Sequence, residues 1–435
     1  MRFSIVSLLY QLALGGYHLA IHAAALANNP KAKAWVRGRS DQQRPFWWED
    51  ESRHEAKLPT RTRNQPLVWM HVASLGEFEQ GKPILERIRS DYPHYFLLLT
   101  FYSPSGYERR KDFPTVDAVR YLPPDSPRNA RYWVEMIKPD LVIFVTYDFW
   151  RFHLAAIKQR QIPLLLIAGV FRADQRFFQR YDFGSRRVLT FFDRIIVQTD
   201  LSRRLLASIG HSPEQVTVAG DPRADRVLGL AETPFEDAIL NDFCQSAPVL
   251  LAGSVWAKDV KLLLSLSKRI PANWKIILAP HQLKAKSLHQ WIALGNMARY
   301  TRYASEKDRH KQILLLDTIG ILSRAYRYAR LAYVGGGFGS GIHNTLEPMA
   351  YGLPVIIGPK HHKFPEAVTT VEAGGTFVVH NANELSLTFN KLLDETIYEA
   401  ARVNIEAYTQ RAAGATERTF RELVPYLERL SAPAT

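Results

Sequence analysis

Cysteine is almost absent from this sequence of 435 residues, in which Cys244 is the only one. A single thiol excludes a disulfide within the chain and argues strongly against a cysteine-based zinc or iron–sulfur site. It also fits a reducing compartment. The composition of 46% hydrophobic and 23% charged residues excludes a disordered or fibrous chain. At roughly 150 residues per domain, the length predicts two or three domains.

Acidic residues are too few to balance the basic ones. The sequence has 42 Asp and Glu against 56 Lys and Arg, a formal net charge of +14. A strongly basic protein favours anionic partners, which include nucleic acid, anionic lipid and phosphorylated substrates.

Several signatures of common protein classes are missing. The sequence has no HExxH zinc motif, no GxSxG nucleophile elbow, no Walker A loop ending in GK[ST], and no DxD triad after a predicted strand. We therefore expect no obligatory metal and no cofactor. No RNP, KH or helix-turn-helix signature occurs, so nucleic acid is not expected as a partner.

Charged residues are also missing from residues 3–27, a stretch about as long as a bilayer span. Its polar residues recur every three or four positions and predict a weakly polar stripe on an apolar helix; they are Ser4, Ser7, Gln11, Gly15, His18 and His22. We expect residues 1–28 to form a membrane-associated helix. A helix buried in the protein core and a cleaved secretory signal are the alternatives.

A basic segment follows this stretch; its residues are Lys31, Lys33, Arg37, Arg39 and Arg44. Basic residues just past an apolar helix are typical of the cytoplasmic side of a membrane, where they meet anionic headgroups. The bulk of the chain is therefore expected in the cytoplasm.

From residue 66 onward, apolar runs alternate with helical stretches, the pattern of βαβ units in a parallel sheet covered on both faces. The predicted strands are at 67–73, 95–102, 118–123, 141–148, 163–170, 194–199 and 216–220, then at 249–254, 275–280, 313–318, 331–336, 354–359 and 376–380. The sequence thus predicts an α/β protein of two Rossmann-like domains, at 29–230 and 246–395, facing across a cleft. Residues 396–435 are predicted to be helices that pack back on the first domain. Ligands bind beyond the carboxyl ends of such strands, so the cleft is the default active site.

The end of the first predicted strand carries the segment HVASLGEFEQGKP at 71–83. Gly76 is expected to allow a tight turn and close approach of a ligand, next to Ser74. Glu77 is expected at the start of a helix, where a carboxylate could act as general base toward a hydroxyl nucleophile. An acid that merely favours the helix dipole is the alternative, and composition alone favours it.

A glycine-rich loop follows the strand at 331–336 and leads into a helix predicted from about Asn344. Glycines let backbone N–H groups approach a phosphate, and a helix N-terminus adds partial positive charge. Glu347 is expected one turn into that helix, where it could bind ribose hydroxyls. Packing alone does not readily explain five glycines in seven residues, which are Gly335, Gly336, Gly337, Gly339 and Gly341.

Other strand ends in the second half carry Ser254, His281 and Gly320, which could converge on one ligand. Arg172, Arg176 and Arg180 recur every four residues, which predicts one basic helix face interleaved with aromatic residues. Such a face suits phosphate or anionic lipid. A solvated or interdomain basic face is the alternative.

At SLGEFEQGKP and again at GIHNTLEPMAYGLPVIIGPKHHKFPEA, the sequence resembles the 3-deoxy-D-manno-octulosonic acid (Kdo) transferases of lipopolysaccharide biosynthesis. These are inverting glycosyltransferases with two Rossmann-like domains, the GT-B fold. The resemblance spans nearly the whole chain and includes TFYSPSGYERRK, VFRADQRFF, VAGDPRADR and LAGSVWAKD.

The resemblance implies CMP-Kdo as donor, a lipid A precursor as acceptor and the cytoplasmic side of the cell inner membrane as location. Glu77 matches the glutamate taken as catalytic base. Positions implied to bind the donor in the second domain are Ser254, His281, Gly320, Gly341, Asn344 and Glu347. Positions implied to bind the acceptor in the first domain are Ser74, Gly76, Asp148, Arg172 and Arg176.

The sequence departs from the family pattern at three places. Asp148 replaces a glutamate before the tryptophan at position 150, Ile342 replaces the second glycine before His-Asn, and Ile321 replaces a glutamate after Gly320. Another lipid-directed glycosyltransferase, a sugar-nucleotide epimerase and a non-catalytic, membrane-bound basic adaptor are the alternatives. The number of Kdo residues transferred, the phosphorylation and acylation of the acceptor, and the oligomeric state do not follow from the sequence.

Overall fold

The computed structural model describes residues 5–43, 61–62, 65–180 and 184–431. The chain divides into two compact units, one of Met1–Arg223 with Gly414–Thr435 and one of Ala224–Ala413. Each unit is built around a seven-stranded sheet in which every strand pair is parallel.

The sheet of the first unit has the order β3-β2-β1-β4-β5-β6-β7. Its strands are β1 Leu67–Val72, β2 Phe96–Phe101, β3 Ala118–Tyr121, β4 Leu141–Val145, β5 Leu164–Gly169, β6 Arg194–Val197 and β7 Val216–Val218. The helices up to β7 are α1 Ile5–Leu26, α2 Pro30–Gln43, α3 Leu75–Asp91, α4 Pro104–Arg110, α5 Pro127–Ile137, α6 Arg151–Gln159 and α7 Asp200–Ala207. All residues of β1, β2 and β4 are buried because apolar side chains cover both faces of the sheet.

The sheet of the second unit has the order β10-β11-β9-β8-β12-β13-β14. Its strands are β8 Val249–Val255, β9 Lys275–Pro280, β10 Ala298–Arg299, β11 Ile313–Leu315, β12 Leu331–Val334, β13 Val355–Ile357 and β14 Thr376–Val378. Its helices are α8 Arg223–Glu232, α9 Ala238–Cys244, α10 Ala257–Ser267, α11 Ala285–Gly295, α12 Ser305–Asp308, α13 Leu322–Ala325, α14 Leu346–Met349, α15 Pro365–Glu372, α16 Ala382–Lys391 and α17 Glu395–Ala412. Every predicted strand is present, and among the described residues the prediction missed only β10, whose two residues are too short to show a pattern.

The boundary between the units lies earlier than the sequence predicted. The first segment of the first unit ends at Arg223, and the residues between the two predicted domains, 231–245, contain α9. Leu240, Phe243 and Cys244 of α9 are buried in the same apolar cluster as β8, so this helix is part of the second unit's core.

The C-terminal helices were predicted to pack on the first unit, but only the last of them does so. Helix α17 belongs to the second unit, where Ile405 is fully buried. The last helix, α18 Ala415–Ser431, belongs to the first unit and buries Phe420, Leu423 and Leu427 against its sheet. The hydroxyl of Tyr95 donates to the Leu427 carbonyl over 2.6 Å.

Helices α1 and α2 pack on the body of the first unit. The hydroxyl of Tyr10 in α1 donates to Asp125 over 2.8 Å, and the ring of His18 lies 5.4 Å from that of Trp35 in α2. Arg39 is buried rather than facing solvent, with its guanidinium 4.0 Å from the Trp35 ring centroid. Lys31, Lys33 and Arg37 are exposed, while Ser4 and Arg44 lie outside the described residues.

The polar stripe of α1 lies partly against the protein, while Gly15 and His22 are exposed. Gln11 and His18 are partly buried, and side-chain nitrogens of both have no access to solvent. The leucines face outward: Leu8, Leu9, Leu12, Leu19 and Leu26 are each more than half exposed. Within the described ranges, no helix combines the length and the apolar character needed to cross a bilayer.

Candidate active site

The first cluster of site residues lies where strand order reverses in the sheet of the first unit. Strands β1 and β4 are neighbours although two strands separate them in sequence. Crevices at such reversals, beyond the carboxyl ends of the strands, are the usual ligand sites of open α/β sheets. Glu77 follows β1 and Asp148 follows β4, so the fold places both residues at this point.

Glu77 caps the start of α3. The helix begins at Leu75, with Ser74 at the N-cap position, and the Glu77 carboxylate accepts hydrogen bonds from the backbone N–H groups of Ala73 at 2.5 Å and Ser74 at 3.2 Å. A capping role for Glu77 is therefore real, and its carboxylate is held in one place by two donors. Gly76 lies inside the helix, where an added Cβ would meet only the Ser74 hydroxyl, at 3.8 Å. The expectation that Gly76 permits a tight turn is wrong.

The loop that carries Asp148 is strained. Thr146, directly after β4, is buried with a φ of +62°, an unfavourable conformation for a β-branched residue. Its hydroxyl donates to Gln80 Oε1 over 2.5 Å, and Gln80 donates in turn to Asp221 over 3.3 Å. Backbone strain held in place by surrounding contacts is often found at functional sites.

Asp148 is in contact with a buried histidine. Oδ2 of Asp148 lies 2.8 Å from Nε2 of His71, and the indole N–H of Trp150 donates to the same Nε2 over 3.2 Å. On the other side of the ring, Nδ1 of His71 lies 2.8 Å from the hydroxyl oxygen of Thr100. The side chain of Asp148 is 13% exposed, so the carboxyl group is mostly withdrawn from water.

The two carboxyl groups have strongly shifted acidities. Burial, and then repulsion from Asp148, raise the pKa of Glu77 well above its usual range, although the bonds from Ala73 and Ser74 act in the opposite direction. Burial raises the pKa of Asp148 to about 7, against the bond from Trp150. A carboxyl pair that holds a proton near neutral pH is suited to general acid–base chemistry.

The prediction that residues 172–180 form a helix with an arginine face is wrong. This segment contains only a 3₁₀ turn at Arg176–Phe178, and Arg172 pairs with Asp174 over 3.2 Å. The aromatic residues decide the local structure, because Phe177 and Phe178 pack against the core of the unit. The ring of Phe177 lies 5.2 Å from that of Phe149, which places the segment beside the Asp148 loop. Arg176 remains exposed.

The second cluster lies at the strand-order reversal of the other sheet, where β8 and β12 are neighbours. Ser254 lies near the end of β8 with a φ of +53°, and the glycine-rich loop follows β12. The carboxyl ends of the adjacent β9 and β11 lead to His281 and Gly320. The fold thus brings the predicted donor-binding positions to one edge of this sheet.

Packing explains part of the glycine run. Gly336 has a φ of +95°, and a Cβ there would lie 2.5 Å from the Gly341 carbonyl oxygen. A Cβ at Gly337 would lie 2.6 Å from Cα of Gly358. The buried carboxylate of Asp259 accepts from the N–H of Gly336 over 3.0 Å and fixes the loop.

The helix expected after this loop is only one turn long, α14, and it starts at Leu346. So short a helix contributes little dipole to a bound anion. Asn344 joins the loop to the helix: its oxygen accepts from the N–H of Leu346, and its amide donates to Glu347 Oε1, both over 3.2 Å.

Three rings stack at the same edge of the second sheet. His281 lies 4.6 Å from the ring of Trp256 and 4.2 Å from that of His343, while the indole N–H of Trp256 donates to His343 Nε2 over 2.9 Å. Burial, and then the neighbouring His281, lower the pKa of His343 to about 4. His343 is therefore neutral at physiological pH.

Gly320 has a φ of +98° and follows Asp317, whose carboxylate pairs with Arg299 over 2.6 Å. In the part of the chain that the structure describes, no three His, Cys, Asp or Glu side chains cluster as metal ligands do.

The sequence did not single out every side chain that shapes these clusters. His71, Thr100 and Trp150 act on Asp148, and Trp256 and Asp259 support the glycine-rich loop. Of these, only His71 could have been recognised from the sequence, because a histidine is unusual within an otherwise apolar strand that is buried on both faces.

Comparison with known proteins agrees with the sequence resemblance. The family model described as 3-deoxy-D-manno-octulosonic-acid transferase (kdotransferase) matches residues 48–226. The 3-deoxy-D-manno-octulosonic acid transferase of Haemophilus influenzae is 26% identical over 376 residues, which cover 83% of this chain and 87% of that protein. The enzyme of the same name from Aquifex aeolicus is 28% identical over 334 residues, or 75% of this chain and 86% of that protein.

Solved structures show the fold. UDP-GlcNAc 2-epimerase from Neisseria meningitidis bound to UDP-GlcNAc matches with a TM-score of 0.57 at 15% identity, over 82% of this chain and all of that chain (100%). An Anabaena protein in complex with UDP and glucose matches with a TM-score of 0.55 at 13% identity, over 84% of this chain and 100% of that chain. These identities are too low to carry function, and they establish two α/β units with parallel sheets. The sequence relationships go further: the chain is similar to 3-deoxy-D-manno-octulosonic acid transferases over most of its length.

Proposed function

We propose that the protein is an inverting glycosyltransferase that moves Kdo from CMP-Kdo onto a hydroxyl group of a lipid A precursor (lipid IVA) during lipopolysaccharide core assembly. Similarity to curated Kdo transferases supports Kdo transfer. The observation that carries the chemistry is the pair of Glu77 and Asp148, two carboxyl groups with raised pKa values at the strand-order reversal of the first sheet.

In the proposed reaction, Glu77 accepts the proton of the acceptor hydroxyl. The hydroxyl oxygen then bonds to the anomeric carbon of Kdo as the bond from that carbon to the CMP phosphate oxygen breaks. CMP leaves with the electron pair, and attack opposite to the leaving group inverts the anomeric centre. The two backbone donors on Glu77 hold its carboxylate in position for this transfer.

We assign donor binding to the second unit, at Ser254, His281, Gly320, Gly341, Asn344 and Glu347. The support is their gathering at one edge of a parallel sheet, which is where nucleotides bind in such folds. Glu347 is held by Asn344 and is suited to accept hydrogen bonds from ribose hydroxyls. The stacked rings of Trp256, His281 and His343 extend the same surface.

We assign acceptor binding to the first unit, at Ser74, Gly76, Asp148, Arg172 and Arg176. The exposed Arg176 and the partly exposed Arg172 lie on the segment beside the Asp148 loop. Arginine binds phosphate groups with paired hydrogen bonds, which suits a phosphorylated lipid acceptor.

We also propose that α1 binds the cytoplasmic surface of the inner membrane without crossing it. The helix is anchored to the protein through its polar side, by Tyr10 on Asp125, and presents its leucines outward. Exposed Lys31, Lys33 and Arg37 on the neighbouring helix would meet anionic headgroups. An apolar face beside a basic one is the pattern of interfacial helices.

The proposed function is tested by incubating the purified protein with CMP-Kdo and tetraacylated lipid A precursor and weighing the lipid by mass spectrometry. The expected result is a mass increase of one or more Kdo units together with release of CMP. A lipid of unchanged mass would overturn the proposal. Conversion of a soluble sugar nucleotide by the protein alone would favour an epimerase, and absence of nucleotide binding would favour the adaptor.

A further inference from the structure

Two carboxyl groups lie at the proposed site, and a single base is needed. The surroundings of Asp148 and of Glu77 stabilise different protonation states of the carboxyl group. Glu77 accepts two backbone N–H bonds at the start of a helix, and such bonds favour a carboxylate. Asp148 instead faces the ring nitrogen Nε2 of His71. If Nε2 carries a proton, it stabilises the Asp148 carboxylate; if Nε2 is bare, it stabilises the neutral acid.

The donors and acceptors around His71 indicate where its proton lies. Burial first, and then the neighbouring His153, lower the pKa of His71 well below its usual range, so the ring carries one proton. The indole of Trp150 can only donate; its N–H is aligned on Nε2 of His71 at 3.2 Å and also reaches the carboxyl group of Asp148. Nε2 must then be the bare nitrogen, and the proton is on Nδ1, facing the Thr100 hydroxyl at 2.8 Å.

Thr100 is able to receive that proton. Its hydroxyl oxygen already accepts from the indole N–H of Trp69 over 2.8 Å, and its second lone pair is available to Nδ1–H of His71. The Thr100 hydroxyl can then donate its own hydrogen to the Met70 carbonyl, whose oxygen lies 3.5 Å away. All of these groups are buried, so the arrangement is isolated from water.

The protonation state of Asp148 follows from this arrangement. A bare Nε2 lies 2.8 Å from Oδ2, and two lone pairs at that distance repel unless one atom carries a proton. Among the described residues Oδ2 has no aligned hydrogen-bond donor. We propose that His71 is a positioning residue that holds Asp148 as a neutral carboxylic acid donating to Nε2, and thereby leaves the negative charge of the pair on Glu77.

This inference deepens the proposed function and rests on it only for its catalytic consequence. The repulsion that raises the pKa of Glu77 comes from ionised Asp148, so a neutral Asp148 keeps Glu77 available as the base. The charged or titratable groups that act on the pair and on His71 are Tyr102 after β2, His153 on α6 and Arg39 on α2.

Two measurements on the resting protein test the proton positions without any substrate. Nitrogen NMR of labelled histidine should show His71 protonated on Nδ1; a proton on Nε2 would overturn the inference. Infrared spectra in mildly acidic buffer should contain the carbonyl band of a neutral carboxylic acid that disappears in Asp148→Asn. If that band disappears in Glu77→Gln instead, the charge assignment is reversed and the inference fails.

A third measurement uses turnover of CMP-Kdo and the lipid acceptor. Asn donates an N–H as the protonated acid does, so Asp148→Asn should be at least about tenfold more active than Glu77→Gln, whose loss should reach about 10²–10⁴. Equal losses would contradict the inference, and a larger loss in Asp148→Asn would make Asp148 the base. If no variant and no wild-type protein transfers Kdo, the proposed function fails, while the NMR and infrared results still decide the inference.

Thr100 provides the matched pair of variants. Thr100→Val removes the acceptor for Nδ1–H and should weaken the infrared band of Asp148, whereas Thr100→Ser should retain it. Trp69→Phe removes the other bond to Thr100 and should lower the melting temperature without moving the His71 proton. An unchanged band in a folded Thr100→Val protein would contradict the role given to this hydroxyl, and the NMR assignment applies even where that variant does not fold.

Discussion

Electrostatic repulsion couples Glu77 and Asp148, although the two residues follow different strands of the sheet. The coupling arises because β1 and β4 are direct neighbours, with Val68 opposite Leu141 at the start of the shared register. Each carboxyl group is also largely withdrawn from water, which strengthens the interaction. Their shared site therefore affects both the chemistry and the stability of the first unit.

The stability of the protein should fall as pH rises from mildly acidic to neutral values, in part because of Asp148. Its pKa is about 7 in the folded protein against 3.8 for the ordinary side chain. A raised folded pKa gives stability that is complete below the unfolded pKa and lost as pH rises through the folded one, with a slope of up to about 1.4 kcal/mol per pH unit. Urea unfolding across this range should show a flatter profile for Asp148→Asn, and parallel profiles would contradict the raised pKa.

Replacing Glu77 by Gln should separate catalysis from capping. Gln keeps one oxygen for the N–H groups of Ala73 and Ser74 but cannot accept a proton as a carboxylate does. We expect turnover to fall by about 10²–10⁴ while CMP affinity and melting temperature stay near those of the wild type. Glu79→Gln, on the same helix but paired with Arg110, is the matched control and should retain activity. More than half of the wild-type activity in Glu77→Gln would exclude Glu77 as the base.

Replacing Glu347 by Ala should weaken CMP binding measured by calorimetry. A charge-assisted hydrogen bond is worth roughly 1.5–3 kcal/mol, so the dissociation constant should rise about tenfold or more. Glu372→Ala removes an exposed carboxylate elsewhere in the second unit and should bind CMP normally. Equal affinities in the two variants would place the nucleotide away from Glu347.

Serine at Leu8, Leu12 and Leu19 should release the protein from vesicles that contain anionic phospholipid. These substitutions remove the outward apolar face of α1 but keep the bond from Tyr10 to Asp125, which a deletion of residues 1–28 would destroy. The control carries serine at three exposed leucines outside this helix, Leu201, Leu294 and Leu387. Sedimentation of both variants with vesicles at high salt would show that the anchor lies elsewhere.

Local sequence patterns were sufficient for the strands and for several site residues. Consecutive apolar residues indicate strands buried on both faces, and Glu77, Ser254 and His281 could be placed at strand ends from the sequence alone. The periodic arginines at 172–180 led to a wrong helix prediction. Packing of Phe177 and Phe178 against the core stabilises this segment more than a helix would. The helix α14 was expected from the sequence, but its length of one turn was not, since helix length depends on the packing of the loop before it.

The sequence by itself determined the α/β class, the positions of most strands and the presence of carboxylates after β1 and β4. Only the tertiary structure decided that these strands are neighbours, that His71 meets Asp148 and that α1 turns Gln11 and His18 inward. The reason is that strand order, desolvation and the choice of buried helix face depend on contacts between residues far apart in the chain. A pattern within one segment carries no information about which distant segment will cover it.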